Sequence, residues 1–225
     1  YLELWIRLRS AKGYSRCPSS LYRVLVKGFA YKKKPLVTYK PKKYDTPEFI
    51  GEKWQMDTKF VPTPCKSPLT PEDKKFYQYT VIDEADRKRF LYWYDEISTT
   101  NTVDFIQRAF DFFGYMPKIV QTDNGFEYTY SSRRTRKQPH PLDILLMGLA
   151  ITHQLIRPRT PRHNGKVERS HRNDNQRFYQ YLKFFSLEDL RIQGKRYLRR
   201  SNDIPMSVLY YKTPNEAEAI QKATL

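Results

Sequence analysis

Residues 54–60 read Trp54-Gln-Met-Asp-Thr-Lys-Phe60, a run of bulky side chains with one aspartate set inside it. Successive side chains of a strand point to opposite faces, so Asp57 stands across the strand from Trp54 and Met56. Aspartate is a poor strand former, and its place mid-strand asks for a reason: an exposed face, or a ligand. Two further carboxylates sit in similar settings. Asp123 closes the apolar run in Ile119-Val-Gln-Thr-Asp-Asn-Gly125, and Glu168 lies in Pro161-Arg-His-Asn-Gly-Lys-Val-Glu-Arg-Ser170, where a Gly-containing turn opens a helix. Each has an ordinary account of its own. Asp-Asn-Gly is common turn chemistry, and Arg172 at i+4 offers Glu168 a helical ion pair. Jointly, two strand-end aspartates and a helical glutamate are the oxygen-rich set that a pair of hard divalent ions needs for phosphodiester chemistry.

Outward from these three positions the pattern is α/β. Strands are expected at 54–61, 76–83 and 89–97, rich in aromatic and β-branched residues, then at 118–122 and 151–156. A helix is expected at 101–113, with Val103, Ile106, Phe110 and Phe113 on one stripe and Asn101 as its cap. A long helix is expected over 164–184. Three meandering strands, a helix, a strand, a helix-containing insert, a strand and a helix imply a mixed five-stranded sheet flanked by helices, over residues 51–185. Residues 186–225 read as a C-terminal helical tail of that core. Asp83, Glu84 and Asp86 are rival acids, but Asp83-Glu-Ala-Asp-Arg87 reads as a hairpin turn, and Glu127 lies near Asp123.

Residues 1–30 form a small helical segment. Leu2, Trp5, Ile6 and Leu8 make one apolar set, Lys12-Gly13 breaks it, and Pro18-Ser19-Ser20 opens a second helix, with Ser19 or Ser20 as its cap. A Gly turn between two helices bearing Arg16, Arg23 and Lys27 is compatible with part of a helix-turn-helix that presents those cations to DNA. It is equally compatible with a simple packing pair. Tyr1 is not an initiator Met, and the segment reads as the remainder of a longer DNA-binding region. Residues 31–50, with Lys32-Lys-Lys34, Lys40, Lys42-Lys43 and prolines, read as an extended basic linker.

The 225 residues carry a formal charge of +17, with 15% aromatic content to build a core. That charge fits a polyanion, nucleic acid before an anionic membrane surface. Membrane spanning is set aside, because the run Ile144–Ile151 is far short of the roughly 20 apolar residues required. Cys17 and Cys65 suggest neither a disulfide framework nor a zinc site, so a reducing, cytoplasmic compartment is expected. Of the four histidines, His163 and His171 fall near Glu168 and are candidates for an auxiliary role there.

Four stretches together carry a resemblance: Trp-Gln-Met-Asp-Thr, Thr-Asp-Asn-Gly-Phe-Glu-Tyr, Arg-Pro-Arg-Thr-Pro-Arg-His-Asn-Gly-Lys-Val-Glu-Arg and the late Tyr211-Lys-Thr-Pro-Asn-Glu216. They resemble the DDE transposases of bacterial insertion sequences, which share an integrase-type catalytic core with retroviral integrases. The resemblance spans roughly residues 51–220. It implies a ribonuclease H-like fold and a triad, Asp57, Asp123 and Glu168, holding two Mg²⁺ or Mn²⁺ ions. It implies DNA cleavage and strand transfer at transposon ends, a homo-oligomer on double-stranded DNA, and a bacterial, nucleoid-associated location. Asn124, Gly125, Asn164 and Gly165 would shape the loops beside the triad, and Asn124, Asn164, Lys166, Arg169 and Arg172 would meet DNA. One departure stands out: the interval from Asp123 to Glu168 is about ten residues longer than this family commonly shows. The excess is expected in the basic stretch Tyr128–Pro141, looped out as an added arm. A metal-dependent nuclease of the same fold is the rival enzyme, and a non-catalytic sequence-specific DNA-binding regulator or an RNA-binding module are the rivals from other classes.

Overall fold

The computed structural model describes residues 1–28, 46–68, 74–130, 138–156 and 164–224. Alternation sets the sheet. Strand β1 (Lys53–Phe60), β2 (Tyr77–Asp83) and β3 (Arg89–Tyr94) form an antiparallel meander, the last two joined at the turn that holds Glu84, Ala85 and Asp86. Strands β4 (Ile119–Thr122) and β5 (Thr152–Leu155) add in parallel on the other side of β1, giving the order β3-β2-β1-β4-β5. Parallel neighbours need crossovers, supplied by helices α3 (Thr99–Phe113) and α4 (Pro141–Gly148). The expected mixed five-stranded sheet flanked by helices is what forms.

One face of the sheet sends Trp54, Met56, Tyr79, Val81 and Val120 against Phe105, Ile106, Phe110 and Phe113 of α3 and Leu142 and Leu146 of α4. These side chains are almost wholly buried, each worth about 1.5–3 kcal/mol of burial. The other face, through Leu91 and Trp93, packs on Phe178, Tyr179, Leu190 and Tyr197. These come from the segment after helix α5 (Gly165–Asp174) and from α6 (Leu187–Asn202). Between α5 and α6 a buried polar network replaces part of the apolar contact. Asp174 pairs with Arg89 at 2.6 Å and accepts from Gln78 Nε2 and Tyr197 Oη, each at 2.8 Å. The Arg89 guanidinium, with its desolvation offset chiefly by Asp174, holds that carboxyl below the usual range.

Several boundaries differ from expectation, each for a local reason. β3 ends at Tyr94 rather than 97, and α3 starts at Thr99. Its cap is Ser98 and not Asn101, because Ser98 is the last extended residue and its Oγ accepts from Asn101 N at 3.2 Å. The helix expected over 164–184 stops being α-helical at Asp174 and continues as a π turn, Asn175–Tyr179. That wider turn buries both Phe178 and Tyr179, and Tyr179 Oη donates to Gln78 and accepts from Trp93 Nε1 at 2.9 Å. Residues 29–45, 131–137 and 157–163 lie outside the described residues. They include most of the expected linker, the arginines of the expected arm, and His163.

The chain divides into two compact units, Pro47–Asn202 and a second made of Tyr1–Thr46 with Asp203–Leu225. The segment read as one tail from 186 to 225 is thus divided after Asn202, with α6 in the sheet unit. In the second unit, α1 (Leu2–Lys12) ends at Gly13, whose φ of 63° suits the left-handed turn, and α2 (Pro18–Lys27) follows. The cap of α2 is Cys17 rather than Ser19 or Ser20, because Pro18 occupies the first helical position. Trp5 is buried, donates to Arg16 O at 2.7 Å, and stacks obliquely on Tyr211. Helix α7 (Pro214–Thr224) completes that unit.

Candidate active site

β1 lies between an antiparallel neighbour and a parallel one. It pairs with β4 at Lys53–Ile119, Trp54–Val120 and Gln55–Gln121, and the same offset puts Asp57 level with Asp123, just past the last pair. Alternation sends both carboxylates to the face away from α3. The carboxyl ends of parallel strands flanking such a switch are where open α/β sheets bind ligands.

Glu168 arrives on α5, and Gln55 fixes that helix. Asn164 stands at the N-cap without capping through its side chain. Instead Gln55 Oε1, from β1, accepts from Lys166 N at 3.1 Å and Val167 N at 3.2 Å. The orientation of the amide is imposed by Glu84, which is fully buried: its carboxylate only accepts, and takes Gln55 Nε2 at 2.9 Å. Lys166 Nζ pairs with Glu84 as well, and Lys53 Nζ stands 3.8 Å away. Gln55 is two residues from Asp57 on the same face, so one strand carries the first carboxylate and clamps the helix bearing the third.

Burial first, then the charge of Asp123, and less strongly those of Glu168 and Glu127, push the Asp57 carboxyl up to about 7. Asp57 Oδ1 accepts from Thr58 N at 2.9 Å, and His171 Nδ1 lies 3.5 Å from Oδ2. Burial pushes His171 down to about 4, so a neutral ring stands beside Asp57. Asp123 Oδ1 accepts from Gly125 N at 2.9 Å. A Cβ on Gly125 would stand 2.6 Å from Glu127 Oε2 and 2.9 Å from Asp123 Oδ1, so only glycine leaves room for both carboxylates. Burial, with Asp123 nearby, raises the Glu127 carboxyl too.

Among the described residues no three His, Cys, Asp or Glu side chains are gathered closely enough to form a ready-made cation site. Glu168 is exposed in the first turn of α5 and reaches Asp57 through its field alone. The donor chemistry nonetheless fits a divalent cation. The oxygens are hard, Asp57 is destabilised by negative neighbours, and Asn164 Oδ1 is buried with no hydrogen-bond partner while its Nδ2 approaches Met56 O at 3.4 Å.

The positions expected to meet DNA fall into two groups. Arg169 and Arg172 are exposed on α5, and Arg16, Arg23 and Lys27 are exposed in the other unit. Asn124, Asn164 and Lys166 are engaged inside: Asn124 Nδ2 donates to Ile156 O at 2.9 Å, Asn164 is buried at the helix start, and Lys166 is held by Glu84. Asp83 serves the hairpin and its surroundings, accepting from Gly51 N, Trp54 Nε1 and Ala85 N. Read from the sequence, Gln55 has no assigned role, and Glu84, weighed as a rival acid, is only part of a hairpin turn. The face shared by Gln55 and Asp57 was the one available signal; Glu84 looks like any turn acid.

Residues 50–161 and 149–214 each match an integrase core domain family. Over 156 residues the chain is 34% identical to "Putative integrase ORF3" of Spiroplasma virus SpV1-C74, covering 66% of this chain and 40% of that relative's length. The HTLV-2 integrase catalytic core domain, solved with magnesium in a trimeric form, superposes with a TM-score of 0.55 at 14% identity, covering 76% of this chain and 97% of that one. The BIV integrase catalytic core superposes with a TM-score of 0.56 at 18% identity, covering 77% and 97%. At such identities the likeness is one of fold, the ribonuclease H-like fold of retroviral integrase cores. The two domain matches together run from residue 50 to residue 214, and the chain belongs to the integrase core domain family.

Proposed function

We propose that this chain is a DNA strand-transfer enzyme, a transposase of the bacterial insertion-sequence kind. Asp57, Asp123 and Glu168 would hold a pair of Mg²⁺ or Mn²⁺ ions. The observation that carries the reading is the shared construction of the site: the β1–β4 register sets Asp57 level with Asp123, and Gln55 on the same strand clamps the helix of Glu168. The raised Asp57 carboxyl supports it, since a cation relieves the crowding of negative charge. When bound, the ions would supply an activated oxygen nucleophile and stabilise the leaving 3′-oxygen. The chain's own part is to orient three carboxylates and crowd them so that a cation is favoured over a proton-free notch, while Arg169 and Arg172, exposed on α5, offset phosphate charge. Arg16, Arg23 and Lys27 would contribute duplex binding from the other unit, and at least two copies would assemble on DNA to bring two ends together.

The test is a Mg²⁺-dependent joining assay, with the element's pre-cut terminal DNA and a target plasmid. Joined products are expected from the wild type. Asp57→Asn, Asp123→Asn and Glu168→Gln should each abolish them while leaving DNA binding largely intact. Nicking without joining would support the nuclease reading, and binding with no divalent-dependent cleavage the regulator. Among the described residues no helix is long and apolar enough to cross a membrane.

A further inference from the structure

Behind the sheet, on the face that packs against α3 and α4, a chain of hydrogen bonds ends at the backbone of Asp123. Asp143 on α4 meets His153 on β5, Nδ1 to Oδ1, at 2.5 Å. His153 Nε2 lies 2.8 Å from Thr122 Oγ1, and Thr122 Oγ1 donates to the Asp123 carbonyl at 2.9 Å. Thr122 is fully buried and the His153 side chain is only 8% exposed, so water is a poor substitute for these partners. The same strand end is tied a second way: Ile156 N donates to Thr122 O at 3.0 Å, and Asn124 Nδ2 to Ile156 O at 2.9 Å.

We propose that Asp143, His153 and Thr122 form a positioning relay that holds the Asp123 carboxylate at its working angle from the rear of the sheet. The proposal rests on the reading of Asp123 as a cation ligand. The logic is one of donors and acceptors. The Asp143 carboxylate only accepts, so His153 Nδ1 donates to it. Thr122 Oγ1 gives its one proton to the Asp123 carbonyl and can only accept from Nε2, so the ring that completes the chain carries a proton on each nitrogen. The hydroxyl therefore couples the ring to the peptide plane that leads out of Asp123. That plane sets the direction of the Asp123 side chain toward the opposite face. The relay touches neither DNA nor the proposed ions. It acts through Asp123 alone, as the groups behind metal ligands do elsewhere, where their loss costs roughly 10–100-fold in affinity.

The test uses the full chain and Mn²⁺ as the probe, with free ion followed by its paramagnetic resonance signal. Thr122→Val keeps the shape and removes the hydroxyl, His153→Phe removes both ring contacts, and Thr122→Ser keeps the hydroxyl. Thr122→Val and His153→Phe are expected to weaken Mn²⁺ binding about tenfold or more, with Thr122→Ser near wild type and duplex binding unchanged in all three. Asp123→Asn is measured beside them. Loss of Mn²⁺ affinity in Asp123→Asn but not in Thr122→Val would overturn the relay and leave the carboxylate site standing. Unchanged affinity in Asp123→Asn would remove the ligand reading itself. Melting temperatures identify a variant that fails to fold. Should Thr122→Val unfold, weak binding by a folded His153→Phe supports the relay and wild-type binding by it refutes the relay.

Discussion

Replacing Gln55 by leucine keeps volume and removes the amide that joins β1 to the first turn of α5, while the approach of Asn164 Nδ2 to Met56 O remains. Two accepted bonds are lost, from Lys166 N and Val167 N, and one donated bond, to Glu84. At a net 0.5–1.5 kcal/mol each, the three amount to roughly 1.5–4.5 kcal/mol. Glu84 retains Lys166 and stays near Lys53, so its carboxylate is not stranded and no full burial penalty is added. The introduced leucine recovers some apolar burial, and the expected loss settles at about 2–3 kcal/mol. For a chain of this length each kcal/mol moves the midpoint about 2–4 °C, so the melting temperature should fall by roughly 4–12 °C. Thermal unfolding gives the total, and amide hydrogen exchange gives the location: Lys166 and Val167 should lose protection ahead of the rest of α5. If Gln55→Leu melts within about 1 °C of wild type, or both amides stay protected, Gln55 does not anchor the helix and Glu168 owes its place to something else.

Asp57 titrates at about 7 in the folded chain against an ordinary 3.8, so between those values the native state holds the proton more tightly. The metal-free protein should therefore lose stability from Asp57 as pH rises from about 4 to about 7, by at most about 4 kcal/mol. Urea unfolding of Asp57→Asn should lack that component, and an identical pH slope in wild type and variant would refute it. Arg89→Met leaves Asp174 buried without its cation and should cost about 3–5 kcal/mol in the same assay; a loss below about 1 kcal/mol would show that the network reorganises freely. Gly194→Ala drives a Cβ to 2.2 Å from the Trp93 ring and should cost about 1–3 kcal/mol despite alanine's better helix propensity. Gly148→Ala, with nothing within 4 Å of its Cβ, should cost nothing, and equal losses at the two glycines would contradict the packing argument.

The strands were legible because alternation is a local signal, and β1, β2 and β4 fall within a residue or so of their expected limits. Trp54 and Met56 on one face with Asp57 on the other followed from period two alone. What escaped were features decided by distant partners. The cap of α5 comes from Gln55, more than a hundred residues earlier, and no spacing rule reaches that far. Glu84 looked like a turn acid because it is one; its burial depends on two lysines and an amide brought in by tertiary packing. His153 and Asp143 lie ten residues apart on a strand and a helix, and their meeting follows from the parallel crossover. The end of α5 was misread because an apolar, aromatic run looks the same whether its last turn closes on four residues or five.

β1 pairs with β4 for only three residues and then runs on beside β2 alone. The fork that opens beyond Gln55 is therefore made by unequal strand lengths. A zipper left partly undone can be closed by a few more teeth: two extra pairing residues at the end of β4 would bond Asp123 to β1 and fix the spacing of two carboxylates that still stand out from the sheet.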